Sequence, residues 1–282
     1  MTLATFLDHH DAVIAVKLTR VRGSSPREVG AMMYVTDNAI HGTIGGGQLE
    51  YMAIDKARAL LRQGTTESAM DVPLGPEIGQ CCGGRVELSL VLMDNAARQT
   101  ALADEARTQA ARPHVYIFGA GHIGRALADL FAHLPVRTIL IDSRPDELSM
   151  ATDQVEHRLS PLPEATLRNA PTGSAFIILT HDHALDFLLT SEALAREDAA
   201  YVGMIGSATK RARFDRFCRE TTEGLSTAPL ACPMGAQGSP DKRPEVIASF
   251  IVAEVMAALT TDTPGKAHSS GSKASPQTTE PK

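Results

Sequence analysis

The 282-residue sequence has no apolar run approaching the roughly 20 residues that a membrane-crossing helix needs. Residues 1–10 lack both the basic start and the apolar centre of a secretory leader, which predicts a cytoplasmic protein with no membrane partner. Basic charge is short too: 27 Lys and Arg stand against 33 Asp and Glu, a formal net charge of −6. That balance argues against non-specific nucleic-acid binding, although local basic clusters can still hold anions. Four cysteines, Cys81, Cys82, Cys218 and Cys232, are too few for a disulfide scaffold at this length. The adjacent pair Cys81 and Cys82 cannot bridge without backbone strain, and in a reducing compartment all four are thiols.

What is present suffices for packed domains. The chain is 43% hydrophobic and 21% charged, which excludes global disorder, and its length allows two domains. Composition shifts twice. Residues 95–112 are Ala-rich, with Gln, Glu and Arg, and read as a helix or helical linker ending before Pro113. Residues 261–282 are Ser-, Thr-, Pro-, Gly- and Lys-rich, and so cannot bury enough surface to offset their ordering entropy. These shifts predict a first domain over 1–108, a second over 109–260 and a disordered tail over 261–282.

Within the first domain, residues 13–19 and 31–35 read as strands. Asp37-Asn38 supplies a turn, and 40–44 returns as the second arm of a hairpin. Residues 48–62 have helical composition and 85–93 close the domain as a strand, an α+β pattern. The second domain alternates differently. Short apolar strands at 115–118, 136–141, 175–179 and 201–205 are separated by helices, including one through Leu134, one over 184–196 and one from Ala208. That alternation predicts a doubly wound parallel sheet covered on both faces.

The turn after the first of those strands is Gly119-Ala120-Gly121-His122-Ile123-Gly124. Its first glycine permits the tight turn, its second lets backbone approach a pyrophosphate, and its third allows close helix–strand packing. The helix it opens offers free N–H groups to an anion. Asp142 ends the next strand, where a ribose-binding acid is expected. Strand, turn, helix and acid together predict a Rossmann-type nucleotide site for NAD(P) or another nucleotide. His122 lies inside the turn, either as a neutral imidazole facing the ligand or as a hydrogen-bonded surface side chain.

Other segments carry weaker signals. Gly203-Met204-Ile205-Gly206-Ser207 precedes Lys210, Arg211 and Arg213. Basic residues in a first helical turn oppose the helix dipole, so they read either as phosphate ligands or as a solvated face. His181-Asp182-His183 with Asp186 follows a strand end and reads as a metal pair or, more simply, as a capping network. In the first domain, Arg22-Gly23-Ser24-Ser25-Pro26-Arg27 joins two guanidinium forks to two hydroxyls. Gly45-Gly46-Gly47 is a bare-backbone loop suited to an anion, with Glu50 just inside the following helix. Gly79-Gln80-Cys81-Cys82-Gly83-Gly84 places two thiols on a backbone that other groups can approach. They would serve thiol chemistry, or simply pack as small residues in a tight turn. There is no CxxC pair, so a structural zinc site is not expected.

Taken in order, these motifs resemble the xanthine dehydrogenase accessory protein family, XdhC/CoxI. The match is carried by Arg22 to Arg27, Gly42-Thr43-Ile44-Gly45-Gly46-Gly47, Leu74-Gly75-Pro76 and Gly79 to Gly84. It continues with Gly119 to Gly124, Thr180-His181-Asp182-His183, Gly203 to Ser207 and Cys232-Pro233-Met234-Gly235. After Gly235 the chain departs from the commoner pattern with Ala236-Gln237-Gly238. The resemblance implies a non-enzymatic chaperone that binds the molybdenum cofactor, a molybdopterin, and supports its sulfuration by a cysteine desulfurase. Such a protein delivers the cofactor to the large subunit of apo xanthine dehydrogenase, and the resemblance also implies a homodimer. In that role Arg22, Ser24, Arg27, Gly45 to Gly47 and Gln80 would hold phosphate or pterin. Cys81 and Cys82 would contact molybdenum or relay sulfur. Gly119, Gly121, His122, Gly124, Asp142, His181, His183, Gly206, Ser207 and Lys210 would line the second binding region. Two other readings fit the same motifs: an NAD(P)-dependent oxidoreductase and a nucleotide-sensing interaction module.

Overall fold

A computed structural model describes residues 1–76, 83–222, 224–235 and 238–261. The chain divides into two compact units, Met1–Ala111 and Arg112–Lys282. The division falls a few residues beyond 108 because the Ala-rich segment is a helix belonging to the first unit. The segment 261–282, read as a tail, lies outside the described residues except for its first residue.

The first unit starts with α1 (Leu3–Asp8) and β1 (Ile14–Arg22), then the hairpin β2 (Met32–Val35) and β3 (Ile40–Gly42). Helix α2 (Gly47–Gln63), β4 (Glu67–Pro73), β5 (Arg85–Leu92) and α3 (Asn95–Ala110) follow. The five strands form one antiparallel sheet in the order β3-β2-β1-β5-β4. Alternation decides its faces, since successive strand side chains point to opposite sides. Ile14, Val16 and Leu18 of β1 and Val86, Leu88 and Leu90 of β5 pack beneath α2, which contributes Leu49, Ala53, Ala57 and Leu60. The other face is covered more thinly by Leu3, Phe6 and Leu7 of α1 with Tyr34 and Met93. Helix α3 buries no residue fully. It is held instead by Arg98, whose guanidinium donates to the carbonyls of Leu7, His10 and Asp11 and so satisfies the end of α1.

The second unit alternates β6 (His114–Phe118), α4 (His122–Phe131), β7 (Arg137–Asp142), α5 (Pro145–Ser149), β8 (Glu156–Leu159) and α6 (Pro163–Arg168). It continues with β9 (Ala175–Ile178), α7 (His183–Ala195), β10 (Tyr201–Met204), α8 (Ala208–Thr221), β11 (Leu230–Ala231) and α9 (Pro244–Thr260). All pairings are parallel, in the order β11-β10-β9-β6-β7-β8. This is the doubly wound order 3-2-1-4-5-6 read from the other edge, and it places the topological switch between β6 and β9. The strands are apolar on both faces because helices cover both. Val115, Ile117, Leu140 and Ile177 face one core with α4 and α9, whereas Tyr116, Phe118, Ile139 and Phe176 face the other with α7 and α8. Among the described residues no helix is long and apolar enough to cross a membrane.

Candidate functional site

In the second unit a cleft opens at the carboxyl ends of β6, β7 and β9, where the strand order reverses and ligands of such sheets bind. Its lining includes Gly119, Ile141, Asp142, Pro161, Thr180 and His181. The three glycines of the turn have separable causes. Gly119 has φ +120°, and a Cβ there would overlap the Leu179 carbonyl. A Cβ on Gly124 would overlap the Gly119 carbonyl, so both positions are fixed by the protein's own packing. Gly121 is different. Its φ of −65° suits any residue, and a Cβ built on it meets nothing within 4 Å. Gly121 caps α4 without any side-chain hydrogen bond, and the exposed His122 begins that helix. The space that a side chain at Gly121 would take is thus open at the start of α4, where the first-turn N–H groups have no intrahelical partner, as an anion cradle requires.

Asp142 does sit at the end of β7, and it is buried. Its carboxylate is already spent, however. Oδ2 accepts from the Ala120 N–H at 2.7 Å and from Arg144 Nη2 at 2.9 Å, and Oδ1 accepts from the N–H and the Nε of Arg144 at 2.9 Å each. Burial alone would raise this carboxyl. The hydrogen bonds from Arg144 and Ala120 and the Arg144 charge outweigh it and lower the carboxyl to about 2. The expected ribose acceptor thus fastens the Gly turn to the end of β7. Nothing in the sequence pattern flagged Arg144, although an Arg two residues after a strand-ending Asp is a readable signal for such a clamp.

The remaining predicted residues of this unit separate into two sets. His181 lines the cleft and His183 begins α7; both are exposed, and Asp182 caps α7 by accepting from the N–H groups of Ala184 and Leu185. Among the described residues no His, Cys, Asp or Glu cluster has the makings of a metal site. Gly206 and Ser207 precede α8, where Ser207 accepts from the Lys210 N–H. Two of the basic residues there, Lys210 and Arg211, are compensated internally. Lys210 Nζ lies 2.5 Å from Oδ2 of the fully buried Asp186, whose Oδ1 also takes the Thr180 N–H and hydroxyl. Arg211 pairs with Asp215 and donates to the carbonyls of Leu230 and Thr227. The Lys210 charge at the start of α8 is thus paired with Asp186 in this structure. Cys218 and Cys232 are free thiols, and burial pushes both above the usual thiol range, away from thiolate chemistry.

In the first unit, three predicted segments meet at one end of the sheet. The Arg22–Arg27 loop lies against Gly83-Gly84: Ser24 and Gly83 form an isolated bridge, and a Cβ on Gly84 would overlap the Ser24 carbonyl. The same loop reaches the Gly45 turn, where a Cβ on Gly45 would come within 2.5 Å of Pro26 Cγ. Gln80, Cys81 and Cys82 lie outside the described residues, as do Ala236 and Gln237. The Gly45-Gly46-Gly47 turn does cradle an anion, but the anion is the chain's own. Glu50 Oε1 accepts from the Thr43 hydroxyl at 2.5 Å and from the N–H groups of Ile44, Gly45 and Gly46 at 2.9, 3.2 and 2.9 Å. Burial opposes ionisation of Glu50, but the bonds from Thr43, Gly46, Ile44 and Gly45 prevail and hold it below the usual glutamate value. Arg22 pairs with Glu87 at 2.6 Å, a half-exposed contact that costs little to break. Arg27 is exposed and makes no ion pair among the described residues. The Ser25 hydroxyl oxygen, two residues earlier on the same loop, is buried without a hydrogen-bond partner among the described residues. A buried hydroxyl and a guanidinium carried by one loop, neither with a partner among the described residues, make a candidate anion site.

Comparisons with known proteins follow this division. The family described as the XdhC and CoxI family matches residues 6–72, and the family described as the XdhC Rossmann domain matches residues 115–255. An uncharacterized protein YqeB of Escherichia coli (strain K12) is 25% identical over 252 residues, covering 83% of this chain. The chain spans 41% of that relative's length. A crystal structure described as a xanthine dehydrogenase from Bacillus halodurans superposes with a TM-score of 0.77 over 93% of this chain and 96% of that one, at 18% identity. At that identity the likeness establishes the fold.

Proposed function

Because this chain belongs to the XdhC and CoxI family, we propose that it is an accessory protein in the maturation of a xanthine dehydrogenase rather than a turnover enzyme. Its cargo in this reading is the molybdenum cofactor, received while a cysteine desulfurase supplies the terminal sulfur and passed to the large subunit of the apoenzyme. The observation that carries the reading is the candidate anion site of the first unit: one loop carries the exposed Arg27 and the buried Ser25 hydroxyl, neither with a partner among the described residues. Molybdopterin ends in a phosphate, and a guanidinium fork with a hydroxyl matches that group. Arg22 can join by leaving Glu87. Gly45 and Gly46 would serve indirectly, since Glu50 occupies their N–H groups and fixes the turn against which Pro26 packs. Gln80, Cys81 and Cys82 precede Gly83-Gly84, which lie against the same loop, and we assign the metal-facing or sulfur-relay role to the two thiols.

The test is anaerobic incubation of the full chain with molybdenum cofactor, followed by molybdenum and pterin analysis of the re-isolated protein. Retention is expected for the wild type and a loss of at least about tenfold in affinity for Arg27→Ala, the worth of about one charge-assisted contact. A chain that retains neither molybdenum nor pterin would sink the reading.

A second reading concerns the other unit. Its cleft is suited to a nucleotide, and Gly121 is the observation that favours it. The first and third glycines of the turn answer to packing, whereas the second keeps space that no protein atom uses. Saturable binding of an adenine nucleotide to the purified chain tests this, and no binding at millimolar concentration would end it.

A further inference from the structure

Given that reading of the cleft, we propose that it selects an adenine dinucleotide carrying a 2′-phosphate over its 2′-hydroxyl counterpart. Sites for the 2′-hydroxyl form use the strand-ending acid to accept from the ribose, and sites for the 2′-phosphate form place an Arg nearby. An ionised carboxylate offers about four lone-pair positions. Asp142 fills its positions with the Ala120 N–H and with the N–H, Nε and Nη2 of Arg144. A ribose 2′-hydroxyl donor entering here finds no free acceptor position on Asp142. A phosphate needs donors, and those remain.

Arg144 spends two of its side-chain N–H groups on Asp142 and approaches Glu147 only at 3.5 Å, while its side chain stays 37% exposed. Glu147 does not repel an incoming anion at full strength, because Arg125 Nη1 lies 2.5 Å from its other oxygen. Ser143, exposed between Asp142 and Arg144, and Ser160 both line the cleft and add hydroxyl donors. Ile141, Pro161, Pro163 and Leu185 line the same cleft with apolar surface suited to a flat base. The clamp on Asp142 thus holds the guanidinium at the end of β7, with its charge partly cancelled but its outer N–H groups unspent. A 2′-phosphate on the ribose would take them as charge-assisted hydrogen bonds.

The experiment titrates the full chain with two matched pairs: NADPH against NADH by ligand fluorescence, and 2′,5′-ADP against 5′-ADP by calorimetry. The 2′-phosphate member of each pair is expected to bind about tenfold more tightly or better, the ratio of one charge-assisted bond. Arg144→Ala frees one acceptor position on each oxygen of Asp142, the backbone N–H bonds remaining, so the preference should reverse towards NADH, and Arg144→Lys should keep part of the wild-type ratio. Equal or tighter binding of NADH by the wild type overturns the proposal and leaves the nucleotide reading standing, whatever the variants do. An unchanged ratio in a folded Arg144→Ala chain also overturns it. If none of the four ligands binds, the nucleotide reading fails and the selectivity fails with it.

Discussion

Replacing Asp142 with Asn keeps the shape of the side chain and removes the charge that fastens the Gly turn to β7. The magnitude follows from its lowered carboxyl. The side chain is 3% exposed and its carboxyl lies at about 2 against an ordinary 3.8. At about 1.4 kcal/mol per unit, that difference corresponds to roughly 2 kcal/mol of folded-state preference for the ionised form. A domain of this size moves about 2–4 °C per kcal/mol, so Asp142→Asn should melt roughly 4–8 °C below wild type at pH 7. The pH dependence has a definite sign. A carboxyl lower in the folded than in the unfolded chain contributes stability above its unfolded value and loses it as pH falls through its folded value. The gap between wild type and variant should therefore close between about pH 4 and pH 2, because acid protonates in the wild type what the substitution has already neutralised. Thermal melting by circular dichroism at pH 7, 5, 3 and 2 reads both parts. Equal melting temperatures at pH 7, or a gap that does not narrow in acid, would refute the four-donor clamp.

The second and third glycines of the turn should respond in opposite ways. Gly121→Ala should fold within about 1 kcal/mol of wild type, the cost of a poorer helix cap, yet lose nucleotide binding, whereas Gly124→Ala should express poorly or melt far lower, since its Cβ would overlap the Gly119 carbonyl. Paired melting and titration check this, and equal behaviour of the two variants would contradict the separation. Glu50→Ala should cost about 1–2 kcal/mol by leaving three loop N–H groups without their acceptor. Added inorganic phosphate should raise its melting temperature more than that of wild type, because the emptied turn can then take an external anion. Phe176→Ala, at a ring that is 0% exposed and stacks on Tyr116 at 5.7 Å, should cost about 3–5 kcal/mol in denaturant unfolding, with Phe176→Leu much milder.

The features legible in the sequence are those set by backbone geometry and by strong apolar runs. The strands β6, β7, β9 and β10 are buried on both faces and read as uninterrupted apolar segments, and the turn at Gly119 to Gly124 declares itself through residues chosen for lack of a side chain. The edge strand β3 was legible as the return arm of a hairpin, but the edge strands β4 and β8 were not. Strand β4, Glu-Ser-Ala-Met-Asp-Val-Pro, and strand β8, Glu-His-Arg-Leu, are polar because one side of each pairs with nothing. Helix α1, six residues long, is held by tertiary contacts and by Arg98 from far along the chain. In the candidate sites the sequence singled out the loops but not what fills them. Glu50, Asp186 and Arg144 are carboxylates and a guanidinium that fold back on groups the motifs mark out for a ligand. Only three-dimensional placement reveals that a Gly-rich turn already holds an anion, or that a strand-ending acid has no lone pair left.

The central claim is that this chain carries molybdenum cofactor to a client, and transfer tests it most directly. Under anaerobic conditions, the chain loaded with sulfurated cofactor is mixed with apo xanthine dehydrogenase, and the appearance of xanthine oxidation is followed against time. Activity is expected to appear faster and to a higher yield than with the same amount of free cofactor, and Arg27→Ala should reduce the gain. Equal rates with and without the chain, or a gain untouched by Arg27→Ala and by a double Cys81→Ala, Cys82→Ala substitution, would contradict the account.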